Sequence, residues 1–349
     1  MNKKKDRRVT IYDIARQIGI APSSVSKALN DQPTISDKIK ALVKSKVQEL
    51  NYVHNSSAAN LRRGTSRTIG VIVPKINTAF FSDVIAGMEE ACFENNHHLI
   101  ICQSGESYIK EVQAVETLIH QNVDCIIISI SIETKSSKHL EEIGRHHVNL
   151  IQFDRVDHAI PSHTIVNDNK NAAYKAVKHL IDMGYKKIAL LGGADFLTIY
   201  RDRKEGYLKA IKEAELLIPY NYIVDNALTT DRGMDVAKEL LKSNNPPDAF
   251  FTISDYSALG VLRVALSMKL KVPEQIGIMG FANEPFTELI SPGLSSVDQK
   301  SRKMGKDAVN VYFNYILQQK PGSKFRKQVI ESSLVIRESS MRKMIKLHK

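Results

Sequence analysis

Between residues 10 and 50 apolar side chains recur at helical spacing. Ile11, Ile14, Ala15 and Ile18 share one face of a first segment, with Thr10 placed to cap it and Asp13 in its first turn. Gly19 ends that segment. Pro22 suits the first turn of a second helix, where its missing N–H costs little. That helix, PSSVSKALN, turns Val25, Ala28 and Leu29 inward and Ser23, Ser26, Lys27 and Asn30 outward. DQPT breaks the chain, and Ser36 caps a third helix ending near Leu50, with Ile39, Val43, Val47 and Leu50 inward. Two short helices joined at a glycine and closed by a third predict a helix-turn-helix.

From residue 68 the pattern changes. Apolar, β-branched runs at 68–74, 98–102, 123–129, 148–153, 186–193, 247–254 and 275–281 alternate with helical stretches near 80–95, 109–121, 135–146, 170–183, 203–215, 231–243, 256–270 and 300–318. Continuous apolar runs separated by helices predict parallel strands buried on both faces, in doubly wound α/β. Such sheets bind ligands beyond the carboxyl ends of their strands. The stretch is too long for one sheet of this kind, so two lobes with a cleft between them are expected.

Charge sharpens this division. The 349 residues carry a net +11, and residues 1–65 hold 13 Lys/Arg against 5 Asp/Glu, leaving the larger segment near neutrality. A small basic head before a nearly neutral body points to a polyanion partner for the head. Ser23, Ser24 and Lys27 are small or cationic groups of the kind that contact bases and phosphates in a major groove. No apolar run is long enough to span a membrane and no export signal is visible, so a cytoplasmic location is expected. Cys92, Cys102 and Cys125 form no CxxC pair and read as thiols in a reducing compartment. The adjacent pairs His97–His98 and His146–His147 cannot face one ligand together. GxGxxG, GxSxG and P-loop motifs are missing, so neither metal, cofactor nor catalysis is expected.

The segments VTIYDIARQIGIAPSSVSKALND, ELNYVHN and SAANLRRG together resemble the LacI/GalR family of bacterial transcription regulators. The resemblance continues through VPKINTAFFSDVIAGMEEA, FDRVD, DRKEGYLKAIKEA, SDYSALGVLRVA and GFANEPF, and so spans essentially the whole chain. It implies a small all-α helix-turn-helix head with a hinge helix. An α/β periplasmic-binding-protein-like body of two doubly wound parallel-sheet lobes follows. The implied boundaries are 1–54 for the head, 55–65 for the hinge and 66–349 for an effector-binding and dimerisation domain. The implied function is a homodimeric repressor of a near-palindromic double-stranded DNA operator, controlled by a small, sugar-like effector.

Carried over residue by residue, the resemblance sets Pro22, Ser23 and Lys27 toward bases, with Tyr12, Ser26 and Asn30 supporting the backbone. Thr10, Ser24, Tyr52, Asn55, Ala58 and Arg62 complete the expected DNA-binding set. Leu61 takes the place of the leucine that wedges into the minor groove. For the effector, Phe80, Phe81, Asp154, Arg203 and Asp255 fall on the matching motifs. The chain has Ala282 where the family often has Asp, so the expectation is that Asn283 or Glu284 substitutes or that the ligand is a different one. Leu228 stands where some relatives present an aromatic. Each candidate has a plain structural alternative: Phe80 and Phe81 as core, Asp154–Arg203 as an interlobe pair, and Asp255 as a helix cap. A transport solute-binding protein or an enzyme on a Rossmann-like scaffold would also use this body fold. The first lacks a reason for residues 1–65, the second a catalytic constellation.

Overall fold

The computed structural model describes residues 9–52, 65–318 and 324–342. The chain divides into two units, one ending at Thr65 and one beginning at Ser66.

The first unit is helical. Helices α1 (Ile11–Ile18), α2 (Pro22–Leu29) and α3 (Asp37–Glu49) pack around Ile14, Ala15, Val25, Ala28 and Val43. Gly19 ends α1 at φ 69°, a left-handed conformation that glycine adopts without a Cβ penalty. Pro22 is the first residue of α2, as its ring favours.

The second unit holds two sheets. Strands β1 (Thr68–Val73), β2 (His98–Gln103), β3 (Cys125–Ile128), β4 (Asn149–Phe153) and β5 (His163–Asn167) belong to the first lobe. Helices α4 (Ala79–Glu94), α5 (Tyr108–His120) and α6 (Lys138–Arg145) connect them. The second lobe opens with α7 (Asn169–Asp182). It continues through β6 (Ile188–Leu191), α8 (Thr198–Glu213), β7 (Ile223–Val224), α9 (Thr230–Leu241), β8 (Ala249–Thr252), α10 (Asp255–Ser267) and β9 (Gly277–Met279). A short α11 (Phe286–Leu289) and β10 (Ser296–Asp298) complete that run. The chain then returns to the first lobe through α12 (Ser301–Val311) and β11 (Lys327–Ile330); β12 (Ser333–Val335) then pairs with β10, and a short 3-10 turn, Glu338–Ser340, follows it. The strand order is β11-β5-β4-β3-β1-β2 in the first lobe and β7-β6-β8-β9 in the second, with every pairing parallel. This is the doubly wound, two-lobed body expected from the runs and helices.

Five strands escaped the pattern. β5 (HTIVN), β7, β10, β11 (KQVI) and β12 are short or polar, and their strand character comes from partners distant in sequence. Helix α8 begins at Thr198, ahead of the expected 203. The helix expected over 300–318 is α-helical only to Val311, and Tyr312–Ile316 continues it with a wider winding.

Three crossings join the lobes: after β5, before α12 and after β11. Asn167 binds them together, its Nδ2 donating to the carbonyls of Gln299 at 2.8 Å and Ile330 at 3.4 Å. The Asp168 carboxylate accepts the Ser332 N–H at 2.8 Å. One continuous apolar core runs through both lobes, from Ile72 and Ile126 to Leu190 and Phe251. Helices α4 and α12 cross at bare backbone: a Cβ on Gly87 would meet the Arg302 carbonyl oxygen at 2.1 Å, and one on Gly305 the Val84 carbonyl oxygen at 1.9 Å. No described helix is long and apolar enough to cross a membrane.

Candidate functional site

Helix α2 builds the candidate reading face of the head. Ser23 and Lys27 stand exposed on it, Ser24 and Ser26 are half-buried, and Pro22 fills the first turn. Asn30 Nδ2 donates to the Ser26 carbonyl at 2.7 Å and closes the last turn. On α1, Tyr12 projects into solvent, 64% exposed. Thr10 instead turns to its own helix, giving its N–H and hydroxyl to the Asp13 carboxylate at 3.0 and 2.7 Å. Tyr52 rests half-buried against the small core. Hydroxyls and an ammonium projecting from a slim, rigid helix can reach both base edges and phosphates. Asn55, Ala58, Leu61 and Arg62 lie outside the described residues.

In the body, residues following strands of both lobes come together where the lobes meet. Asp154 follows β4 with φ 54°, a left-handed conformation that aspartate tolerates, and it is buried. Burial raises its pKa despite the nearby guanidinium groups of Arg155 and Arg203. Arg203, on α8, is also buried. Its Nε donates to Asn169 Oδ1 at 2.9 Å, its Nη1 donates to the Ile253 carbonyl at 3.1 Å, and its guanidinium lies 3.7 Å over the Phe281 ring. Burial lowers its pKa to about 10. No direct Asp154–Arg203 ion pair forms.

The other expected residues have different surroundings. Phe81 is buried in the first lobe's core, edge-on to Phe80 at 5.0 Å and to Phe153 at 6.3 Å, while Phe80 is half-buried. Asp255 opens α10, but Ser254 is the cap. The Asp255 carboxylate accepts the Glu284 N–H at 2.8 Å and the Ser296 hydroxyl at 2.6 Å. Gly280 permits this, since a Cβ there would sit 2.0 Å from Asp255 Oδ1. Burial raises the Asp255 pKa to about 6. Asn283 Oδ1 accepts from Arg337 Nη1 at 3.0 Å. Ala282 holds φ 120°, a conformation costly for any residue with a Cβ. Leu228 is half-buried and packs on the shared core, its carbonyl accepting the Ser254 hydroxyl at 2.9 Å.

Sequence reasoning passed over a further group. Arg155, buried beside Asp154, donates Nη1 to Glu106 at 2.7 Å and Nη2 to the Tyr200 hydroxyl at 3.3 Å, spanning from the first lobe to the second. Its Nε is buried without a protein partner. The signal available was the arginine directly after Asp154 in FDRVD; Glu106 and Tyr200 gave none. Among the described residues no cluster of three or more His, Cys, Asp or Glu could hold a metal. His97 is structural: its ring stacks edge-on to Phe313 at 4.7 Å.

Residues 10–55 match the family model of bacterial regulatory proteins, lacI family, and residues 177–340 match a periplasmic binding protein-like domain. The chain is 30% identical over 334 residues to the HTH-type transcriptional repressor PurR of Vibrio vulnificus (strain CMCP6), covering 95% of this chain and 98% of that protein. It is likewise 30% identical to catabolite control protein A of Priestia megaterium, over 94% of this chain and 96% of that one. The lac repressor dimer bound to operator and the anti-inducer ONPF shares the fold with a TM-score of 0.83 at 22% identity, over 96% of this chain and all of that one. A helix-turn-helix head, a two-lobed α/β body and similarity to these repressors along nearly the full length make the chain a member of the lacI family of bacterial regulatory proteins, a transcription regulator and not an enzyme.

Proposed function

We propose that the chain is a homodimeric repressor of a near-palindromic operator, controlled by a sugar or sugar derivative bound in the interlobe cleft. Residues 1–54 form the DNA-reading domain, 55–65 the hinge, with Leu61 as minor-groove wedge, and 66–349 the effector and dimerisation domain. Pro22, Ser23 and Lys27 face bases, and Tyr12, Ser26 and Asn30 support the backbone contacts. Asp154 and Arg203 supply hydrogen bonds to the effector and Phe80 an apolar face. Phe81, Asp255, Asn283 and Glu284 shape the cleft around them.

The observation that supports this reading is the set of buried charged groups where the two lobes meet. Among them Arg155 Nε has no protein partner, which a hydroxyl-bearing ligand would satisfy. Lobe motion driven by such a ligand is a coupling of about 1–3 kcal/mol to DNA affinity. Thermal melting against a panel of neutral sugars, sugar phosphates and nucleotides tests it. A ligand at about 100 times its Kd adds about 2.7 kcal/mol. The expected result is a sugar-class stabiliser that also changes operator affinity. A panel in which only nucleotides stabilise the protein would overturn the sugar assignment.

A further inference from the structure

Helix α4 starts in the first lobe at the mouth of the cleft. Its cap residue, Thr78, makes no side-chain capping bond, and Thr78 Oγ1 is buried without a partner. The start of the helix is served instead from the opposite lobe. Glu284 Oε2 accepts the Ala79 N–H at 3.3 Å. Tyr256 adds its hydroxyl at 3.4 Å. A carboxylate at this position satisfies an orphan amide and meets the positive end of the helix dipole.

The turn carrying Glu284 is fixed at every amide. Ala282 N–H donates to the Val297 carbonyl, Asn283 N–H to the Ser296 hydroxyl and Glu284 N–H to Asp255, at 2.9, 2.9 and 2.8 Å. Ala282 and Asn283 both hold positive φ, 120° and 54°. A strained, fully bonded turn that aims one buried carboxylate across a cleft is a built contact rather than a chance approach.

We infer that Glu284 is a positioning residue that clasps the two lobes, capping α4 in trans, so that this contact favours the closed arrangement of the cleft. Effector control of this protein then includes making or breaking that clasp. The clasp also gives the cleft a charge preference. The start of α4 already holds the Glu284 carboxylate, and the Asp255 carboxylate accepts the Glu284 N–H at 2.8 Å, so an effector that leaves the clasp intact carries no negative charge at that end. This charge preference rests on the cleft being the effector site; the clasp does not.

The test measures the lobes without any ligand. Spin labels at exposed Lys110 in the first lobe and exposed Lys238 in the second report the interlobe distance in the full chain. Glu284→Ala is expected to move the closed-to-open ratio toward open by about five- to thirty-fold, as loss of a partly buried carboxylate–helix contact implies. Glu284→Gln, which keeps an acceptor but not the charge, is expected to fall between Ala and wild type. It serves as the reading if the alanine variant does not fold. Tyr256→Phe is expected to move the distribution least. Distributions that superpose for wild type and both Glu284 variants would overturn the clasp, and would leave the sugar assignment standing because no ligand is present.

Discussion

The crossing of α4 and α12 gives a sharp test of packing, because one substitution made at two glycines should act in opposite directions. At Gly305 an added Cβ would lie 1.9 Å from the Val84 carbonyl oxygen and 2.8 Å from its carbon. An ordinary carbon–oxygen contact needs about 3.3 Å, so the helices must part by roughly 1.4 Å. The obstacle is backbone, which cannot rotate away. Overpacking of this kind costs about 1–3 kcal/mol, at the upper end where nothing flexible gives. Alanine regains about 1 kcal/mol of helix propensity over glycine, which leaves Gly305→Ala destabilising by ~2 kcal/mol. At Gly144, near the end of α6, nothing stands within 4 Å of the added atom, so only the propensity gain operates. Thermal unfolding followed by far-ultraviolet circular dichroism should show Gly305→Ala lowering Tm by about 4–8 °C and Gly144→Ala raising it by about 1–3 °C. A Gly305→Ala protein as stable as wild type would refute the close crossing, and with it the account of how α4 is held at the cleft.

Lys27→Ala should cost about 1–3 kcal/mol of operator binding, read by fluorescence anisotropy, if Lys27 meets a base edge. Equal losses on operator and random DNA would instead make it a phosphate contact. Asp255→Asn should remove a specific pH dependence. The Asp255 pKa in the folded protein, about 6 against an ordinary 3.8, means the native state holds this proton more tightly. That stabilisation, ~2–3 kcal/mol, is complete below about pH 4 and lost as pH rises through about 6. Urea melts from about pH 4 to 7 should show it in wild type and not in the asparagine variant. Ala282→Gly should stabilise the body by about 1 kcal/mol by relieving φ 120°, and unchanged or lower stability would show the turn is unstrained.

The head and the frame of the body were legible because their signals are local. Caps and glycines bound α1 and α2, and β1 and β3 are continuous apolar runs buried between layers. What escaped depends on partners far along the chain. β5 becomes a strand because β4 and β11 flank it, and nothing in HTIVN announces that. The cleft was legible by residue type but not by bond. Asp255 reads as a ligand or a cap, yet Gly280, Glu284 and Ser296 fix it inside the second lobe. Phe80 and Phe81 look equivalent in sequence, and helix geometry sends only Phe81 into the core. Arg155 gained its role from Glu106 and Tyr200, which no spacing rule connects to it.

The triple crossing between the lobes has a consequence for how the protein is made. β11 closes the open side of β5 with parallel pairing from Lys327–Thr164 to Ile330–Asn167. During synthesis the first lobe's sheet therefore waits, one edge unprotected, while the ribosome produces the entire second lobe. Parallel pairing across such a separation is slow, and an uncovered strand edge is a template for association with other chains. The nascent first lobe is thus the stage at which this regulator is most exposed to aggregation and in most need of chaperones. Mutations that weaken β11 should reduce the yield of folded protein before they alter any property of the finished repressor.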